Sequence, residues 1–220
     1  HDQPLKKITV ALSYPRDRAF VSYVDRVKAP RNFPTLFKKT NAKHLHLCSV
    51  LAMKDHPKIT QQAHAEGLTV SMDPGWEEYT LTEPGFVQTL WDLDIFFPSE
   101  SELCKIAGEN VTEIAAKTIF LKMKKAMLVV KQGKNGSTAF TKEVPQGLQT
   151  TALQVDAVDT TGAGDSFDAG FLYAYAMGQD LETCMKTGTI CGSLSTTQLG
   201  GIGGFPNRKE VEKKKKKLPS

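Results

Sequence analysis

The sequence predicts one α/β layered domain, a three-layer sandwich around a mostly parallel central sheet. Three observations carry that expectation. Short apolar, β-branched runs alternate with amphipathic stretches from residue 34 onward. The chain has 220 residues, 40% apolar and 24% charged, which suits one globular domain of ordinary composition. Neither an internal repeat nor a low-complexity linker appears before the lysines near the end.

The opening segment KKITVALSYPRDRAFVSYVDRV alternates and is rich in β-branched and aromatic residues. It predicts strands near Ile8–Ser13 and Ala19–Val24 with a turn at Pro15-Arg16-Asp17. An isolated hairpin is marginal in water, so this one is expected to cover or extend something else. No βα unit precedes it, so the domain is expected to be N-terminally incomplete. HLHLCSV is strand-like, His56–Glu66 helical, and LTVSMD a strand ending at Asp73-Pro74-Gly75. LDIFF (93–97) is a short apolar strand, Ser99–Ala107 a helix, and 112–125 another. AMLVVKQG is a buried strand, with STAF and LQVDAV (153–158) shorter ones. Two helices close the pattern, about Ala163–Met177 and Asp180–Thr197, divided by Gly178. Trp76, Trp91 and the phenylalanines are expected in the core.

Composition excludes several functions. With 28 Lys+Arg against 24 Asp+Glu, the net charge is +4, and Lys213 to Lys217 carry much of it. That run predicts a solvated C-terminal helix or tail rather than a nucleic-acid or membrane patch. No stretch approaches the ~18 apolar residues of a membrane span, and no signal peptide is visible. Cys48, Cys104, Cys184 and Cys191 lack C-x-x-C spacing, which argues against a zinc site and for a reduced, cytoplasmic chain. His44, His46 and Cys48 alternate on one strand face, but no fourth ligand is evident, so packing is the simpler account.

The stretch DTTGAGDSF, residues 159–167, carries the chemistry. It precedes a helix on which Phe167, Phe171 and Tyr175 share a face. Gly162 and Gly164 permit positive φ and close approach of a ligand to the backbone. The first N–H groups of a helix lack intrahelical partners, and the helix dipole favours negative charge there, so a glycine turn entering a helix is a prepared anion site. A carboxylate in such a site suits a general base working on a nucleophile that attacks phosphorus. The plainer account is a helix entry with Asp165 in its first turn. A Walker loop is absent. The dinucleotide fingerprint fails because Phe167 stands where its third glycine belongs, which disfavours an NAD(P)-dependent oxidoreductase.

DTTGAGDSFDAGF resembles the C-terminal signature of the ribokinase-like (PfkB) family of carbohydrate and nucleoside kinases. The resemblance implies a ribokinase-like fold, with Asp165 the catalytic base and the backbone of Gly162, Ala163 and Gly164 the anion hole for the transferred γ-phosphoryl group. Asp159, with Ser195 and Gly200, would hold a monovalent cation such as K⁺ beneath that loop. VVKQGKNGSTAF resembles the family's nucleotide-lining strand and turn, so Lys131, Gly133 and Gly136 would contact ATP; the family usually carries Thr or Ser where Lys131 stands. By itself that stretch also fits a plain hairpin with a glycine turn. FFPSESEL fits a capping box with Ser99 as N-cap and Glu102 at N3. The family motif there is Pro-Asn-x-x-Glu, which implies that Glu102 holds Mg²⁺ through water, with Ser99 departing from the usual Asn. KTGTICGSLSTTQLGG resembles the nucleotide-side helix, placing Thr189 near adenine; close helix packing equally explains its small residues.

The resemblance further divides the chain into a partial lid hairpin (1–30), with Arg18 in its second strand, and a nucleotide-binding and catalytic core (31–220). It implies an ATP-dependent phosphotransferase acting on a sugar, sugar phosphate or nucleoside, with Mg²⁺ and a homodimer through the lid as further expectations. The alternative is a catalytically incomplete nucleotide-binding or interaction module derived from such a kinase.

Overall fold

The computed structural model describes residues 7–13, 18–24, 32–76, 78–123 and 127–216. The expected turn at Pro15-Arg16-Asp17, the side chain of Arg18, residues 124 and 125, and Lys217 lie outside the described residues. The chain divides into two compact units, residues 1–33 and 34–220.

In the first unit, β1 (Lys7–Ser13) and β2 (Arg18–Val24) pair antiparallel, with Val10 opposite Val21. Each strand begins one residue earlier than the alternation suggested. Val10, Val21 and Tyr23 fall on one face by the period of two, and they are 52%, 61% and 60% exposed.

The second unit follows the expected βα rhythm. Helix α1 (Phe33–Lys39) leads into β3 (His44–Leu47), followed by α2 (Val50–Asp55), α3 (Ile59–Ala65) and β4 (Thr69–Met72). Helices α4 (Glu78–Leu81) and α5 (Phe86–Thr89) precede β5 (Ile95–Phe96); α6 (Glu100–Ala107) and α7 (Thr112–Lys122) precede β6 (Met127–Lys131). Strands β7 (Ser137–Phe140) and β8 (Leu148–Thr150) follow, then α8 (Ala163–Ala176), α9 (Leu181–Ser195) and α10 (Arg208–Lys215). The sheet order is β3-β4-β5-β6-β7-β8; β3 to β6 are parallel, and β7 and β8 join antiparallel.

Three expectations need correction. LQVDAV is not a strand: the Leu153 N–H donates to Ser193 Oγ at 3.2 Å and the Val158 N–H to the Thr196 carbonyl at 2.7 Å, so this backbone is bound to the end of α9 and beyond it rather than to a neighbouring strand. The helix expected over His56–Glu66 is α3 and starts three residues later, at Ile59, because His56 turns to φ −135° and ψ 71° ahead of Pro57, which disfavours a helical predecessor. Trp76 is 56% exposed, since it follows the turn that leaves β4 rather than standing on a packed element.

The core explains why these segments fold as they do. Ile95, Val129 and Ala139 on one sheet face pack against Phe167, Phe171, Ala174, Cys184 and Met185 of α8 and α9. Phe97, fully buried, meets the Phe171 ring edge-on at 5.1 Å between centroids. The alternate residues Phe96, Leu128 and Val130 point the other way and are equally buried. Strands covered on both faces read as continuous apolar runs, which is how LVV and IFF appear in the sequence.

Polar side chains stitch β3 to β4. His44 bonds through Nδ1 to Thr69 Oγ1 at 2.7 Å and through Nε2 to Ser71 Oγ at 2.7 Å, and His46 Nδ1 bonds the same Ser71 oxygen at 2.8 Å. Among the described residues, no group of three or more His, Cys, Asp or Glu could hold a metal ion. None of the described helices is long and apolar enough to cross a membrane.

Truncating Phe97 to Ala is expected to destabilise the chain by about 3–5 kcal/mol through lost burial and a residual cavity, measured by urea denaturation. Burial, aided by His46, lowers the His44 pKa to about 4 against the ordinary 6.5. The unfolded imidazole therefore takes its proton first as pH falls, so this contribution is complete above pH 6.5 and is lost progressively down to about 4. Over that window the wild-type denaturation midpoint should fall more steeply than that of a His44→Gln variant; parallel curves would contradict this.

Candidate active site

Polar side chains converge where the parallel strands end, the place at which open α/β sheets present their crevices. Asp73 immediately follows β4, Ser99 lies beyond β5, and Lys131 is the last residue of β6. Helix α8 starts at Ala163 beside them. A bridge between Ser99 and Lys131 and the Lys131 N–H bond to the Pro98 carbonyl (2.9 Å) hold these ends together.

The turn into α8 is built from backbone. Gly162 is its N-cap at φ +74°, in the left-handed region, and contributes no capping side chain. A Cβ there would lie 2.5 Å from the Gly201 carbonyl oxygen, so strain and space both require glycine. Asp159 secures the turn from below. Its Oδ1 accepts from the Thr161 N–H (2.9 Å) and hydroxyl (2.7 Å), and its Oδ2 accepts from the Gly200 N–H (2.9 Å). Ser195, buried, donates its hydroxyl to the Gly192 carbonyl at 2.9 Å. Thr196, next to it, accepts through its carbonyl from the N–H groups of Val158 (2.7 Å) and Asp159 (3.0 Å). The structure thus joins Asp159 directly to Gly200, with Ser195 one residue from the contact. Asp165 stands in the first turn of α8 and is exposed.

A cleft of about 280 Å³ opens beside this turn. Lys131, Gly133 and Gly136 line one part of it, Ala163 and Gly164 another, and Thr189 of α9 a third. Six of the residues singled out from the sequence therefore meet at one cavity. Leu153, Gln154, Val155 and Ala157, misjudged as strand, form part of its wall. Gly136 adopts φ +95° and ψ −127°, and a Cβ on it would overlap the Thr150 carbonyl. Thr189 is buried, and its Oγ1 lies 3.1 Å from Ser137 Oγ, so its hydroxyl has a protein partner already. Glu102 forms the expected capping box: its Oε2 accepts from the Ser99 N–H at 2.7 Å, and Ser99 Oγ accepts from the Glu102 N–H at 3.3 Å.

The residue sequence reasoning placed differently is Lys131. It lines the cleft, and its ammonium meets two carboxyl groups, Asp73 Oδ2 at 2.5 Å and Asp168 Oδ2 at 3.4 Å. Burial disfavours the charged lysine, yet Asp168 and Asp73 outweigh it and raise its pKa, so it stays protonated. For Asp168, burial together with the nearby Asp73 charge raises the carboxyl well above its ordinary range, against the pull of Lys131. Burial also works against Asp73, but Lys131 and the hydrogen bonds to Asp168, Lys131 and the Gly75 N–H hold it below the usual range. Asp73 is therefore the carboxylate that most readily carries the charge facing Lys131, and Asp168 the one that most readily holds a proton. His46 approaches from β3, its Nε2 3.9 Å from Asp168 Oδ2, beyond hydrogen-bond reach; burial lowers its pKa, so the ring is neutral.

Neither Asp73 nor Asp168 was singled out from the sequence. Asp73 also fits an ordinary turn, and its Oδ1 does accept the Gly75 N–H at 2.9 Å. Asp168 left a signal, a carboxylate between Phe167 and Phe171 on a helix whose face is otherwise apolar.

Comparison with known proteins agrees with this geometry. A ribokinase from Arabidopsis thaliana is 30% identical over 162 residues, covering 71% of this chain and 41% of the relative. The chain thus spans less than half the length of that relative. Among solved structures, a putative ribokinase II from E. coli in complex with ATP and Mg²⁺ superposes with a TM-score of 0.76 at 22% identity, covering 95% of this chain and 71% of the other. Arabidopsis ribokinase complexed with ribose and ATP gives 0.77 at 23% identity, with 94% and 68% covered. At these identities the two structures speak to the fold alone. The description "pfkB family carbohydrate kinase" matches residues 20–208, which include the turn, the cleft and the carboxylate cluster. The chain belongs to the pfkB family of carbohydrate kinases.

Proposed function

We propose that the chain is an ATP-dependent phosphotransferase whose acceptor is an alcohol group of a sugar, sugar phosphate or nucleoside. The observation that carries this is the cleft in which Gly133, Gly136 and Thr189 meet Ala163 and Gly164 of the turn, next to the exposed Asp165. The cleft takes the nucleotide, its adenine toward Thr189 and its phosphates toward the turn. Backbone N–H groups at the start of α8 receive the γ-phosphoryl group, because they have no intrahelical acceptor and lie at the positive end of the helix. Asp165 takes the proton of the acceptor hydroxyl as its oxygen bonds to phosphorus. The bond from phosphorus to the β,γ-bridging oxygen breaks in the same transfer, and ADP leaves with the electron pair.

The residues present fit the implied cations. Glu102 is buried and sits near Lys131, whose charge it supports. With Oε2 held by the Ser99 N–H, its second oxygen would face a water of Mg²⁺, which when bound neutralises charge on the phosphates. Asp159, Ser195 and Gly200 would surround a monovalent cation such as K⁺ under the turn. Residues 1–30 would serve as a partial lid hairpin and 31–220 as the nucleotide-binding and catalytic core, and four free thiols suit a reducing cytoplasm. The exposed apolar row Val10, Val21 and Tyr23 favours a homodimer through this hairpin.

A second reading, a nucleotide-binding module without turnover, is favoured by one observation: Ser99 and Glu102 satisfy each other in a capping box. Thermal shift and ADP release with a panel of sugars and nucleosides separate the two. A kinase gives acceptor-dependent ADP release, whereas a module is stabilised by Mg·ATP alone. Asp165→Asn is expected to lower turnover at least ~100-fold while leaving the melting temperature near wild type, because the side chain is exposed. Undiminished activity would remove Asp165 from the base's role. Val10→Lys with Val21→Lys should shift the sedimenting species from dimer to monomer; an unchanged distribution would place any dimer contact elsewhere.

A further inference from the structure

Lys131 is a charge out of place for a nucleotide cleft. It lines that cleft, yet its ammonium is held by Asp73 and Asp168. The two holds differ. Asp73 is at 2.5 Å, whereas both oxygens of Asp168 lie at 3.4–3.5 Å, the outer limit of a hydrogen bond. An ammonium has three N–H donors, so one of them can turn to a new acceptor without disturbing Asp73.

What that acceptor would be follows from Gly164. A Cβ on Gly164 would lie 3.3 Å from Lys131 Nζ and 3.8 Å from Asp73 Oδ2, so the ammonium stands directly against the helix entry. Gly164 has no left-handed backbone to explain it, and the space its missing side chain leaves is the space between the ammonium and the turn. A cation at the positive end of a helix is unfavourable unless an anion joins both. Asp73 supplies one negative charge to this corner. A second anion seated on the turn would meet the ammonium and the helix N–H groups at once.

We infer that Lys131 contacts the transferred group directly, its ammonium held by Asp73 and Asp168 so that it meets the γ-phosphoryl oxygens of a nucleoside triphosphate seated at the Gly162–Gly164 turn. This rests on the cleft being a nucleotide site. Lys131 then distinguishes triphosphate from diphosphate and adds a fixed positive charge where negative charge gathers during transfer. Asp73 and Asp168 are positioning residues, acting through the lysine.

Calorimetric titration with the magnesium complexes of ADP and of the β,γ-imido analogue of ATP tests the assignment without turnover. Lys131→Met removes the ammonium and leaves the Asp73 carboxylate buried without its counter-charge, which by itself threatens folding. Lys131→Met combined with Asp73→Asn removes one charge of each sign and preserves the balance, and the asparagine oxygen can still accept the Gly75 N–H. In the double variant the affinity for the triphosphate analogue should fall about tenfold or more, the loss of one charge-assisted contact, while ADP stays within about twofold. If analogue and ADP affinities are both unchanged, or weaken equally, Lys131 is only a counter-ion and the inference fails while the nucleotide site stands. If the wild-type chain binds neither nucleotide, both fail together.

Discussion

An ammonium ion almost wholly out of water sets the terms for the centre of this fold. Lys131 comes from β6, Asp73 from the exit of β4 and Asp168 from the second turn of α8, so one charge pins two strands and a helix at the carboxyl edge of the sheet. Taking such an ion out of water costs several kcal/mol, and removing one partner of a buried pair costs about 3–5 kcal/mol. Apolar side chains of similar volume would hold the same elements at no such cost. The arrangement is therefore weak as a device for stability, and its persistence beside a glycine turn points to what the charge can do there.

The turn and the cleft obey a constraint of another kind, the close approach of backbones. Gly162 lies against the Gly201 carbonyl and Gly136 against that of Thr150. These contacts bring residues 131–136, 152–163 and 189–196 around one cavity. The helix α8 then presents two carboxylates three residues apart in unlike settings. Asp165 faces solvent at the helix entry, and Asp168 is 1% exposed beside Lys131. A buried acid whose pKa burial raises and an exposed carboxylate on the same helix can serve different ends, the first completing a charge cluster and the second exchanging a proton with a substrate.

Local features were the ones legible in the sequence. The helix start at Ala163, the Ser99–Glu102 capping box and the shared face of Phe167 and Phe171 each depend on residues within about two turns of one another, and each formed as the spacing indicated. The ion cluster could not be found that way. Lys131 is 58 residues from Asp73 and 37 from Asp168, and only the parallel order of β4, β5 and β6 beneath α8 brings them together. The segment 153–158 misled for a related reason. Its alternation of apolar and polar residues is that of a strand, but Ser193 and Thr196 accept its N–H groups from α9 and the residue that caps it. Hydrophobic periodicity shows which side chains are covered; it does not show which partner takes the backbone.

The departure at residue 131 then acquires a physical meaning. Where a threonine or serine stands at the end of this strand, a neutral hydroxyl needs no counter-charge. Two carboxylates placed where Asp73 and Asp168 stand would then only repel each other, and burial would force protons onto them. Conversely, a lysine introduced alone would be a buried cation at the positive end of a helix. Each change by itself carries a cost, so Lys131, Asp73 and Asp168 act as one unit. A side chain that began as a mismatch to the usual nucleotide contact is, in this chain, the centre of a set whose charges balance only in one another's company.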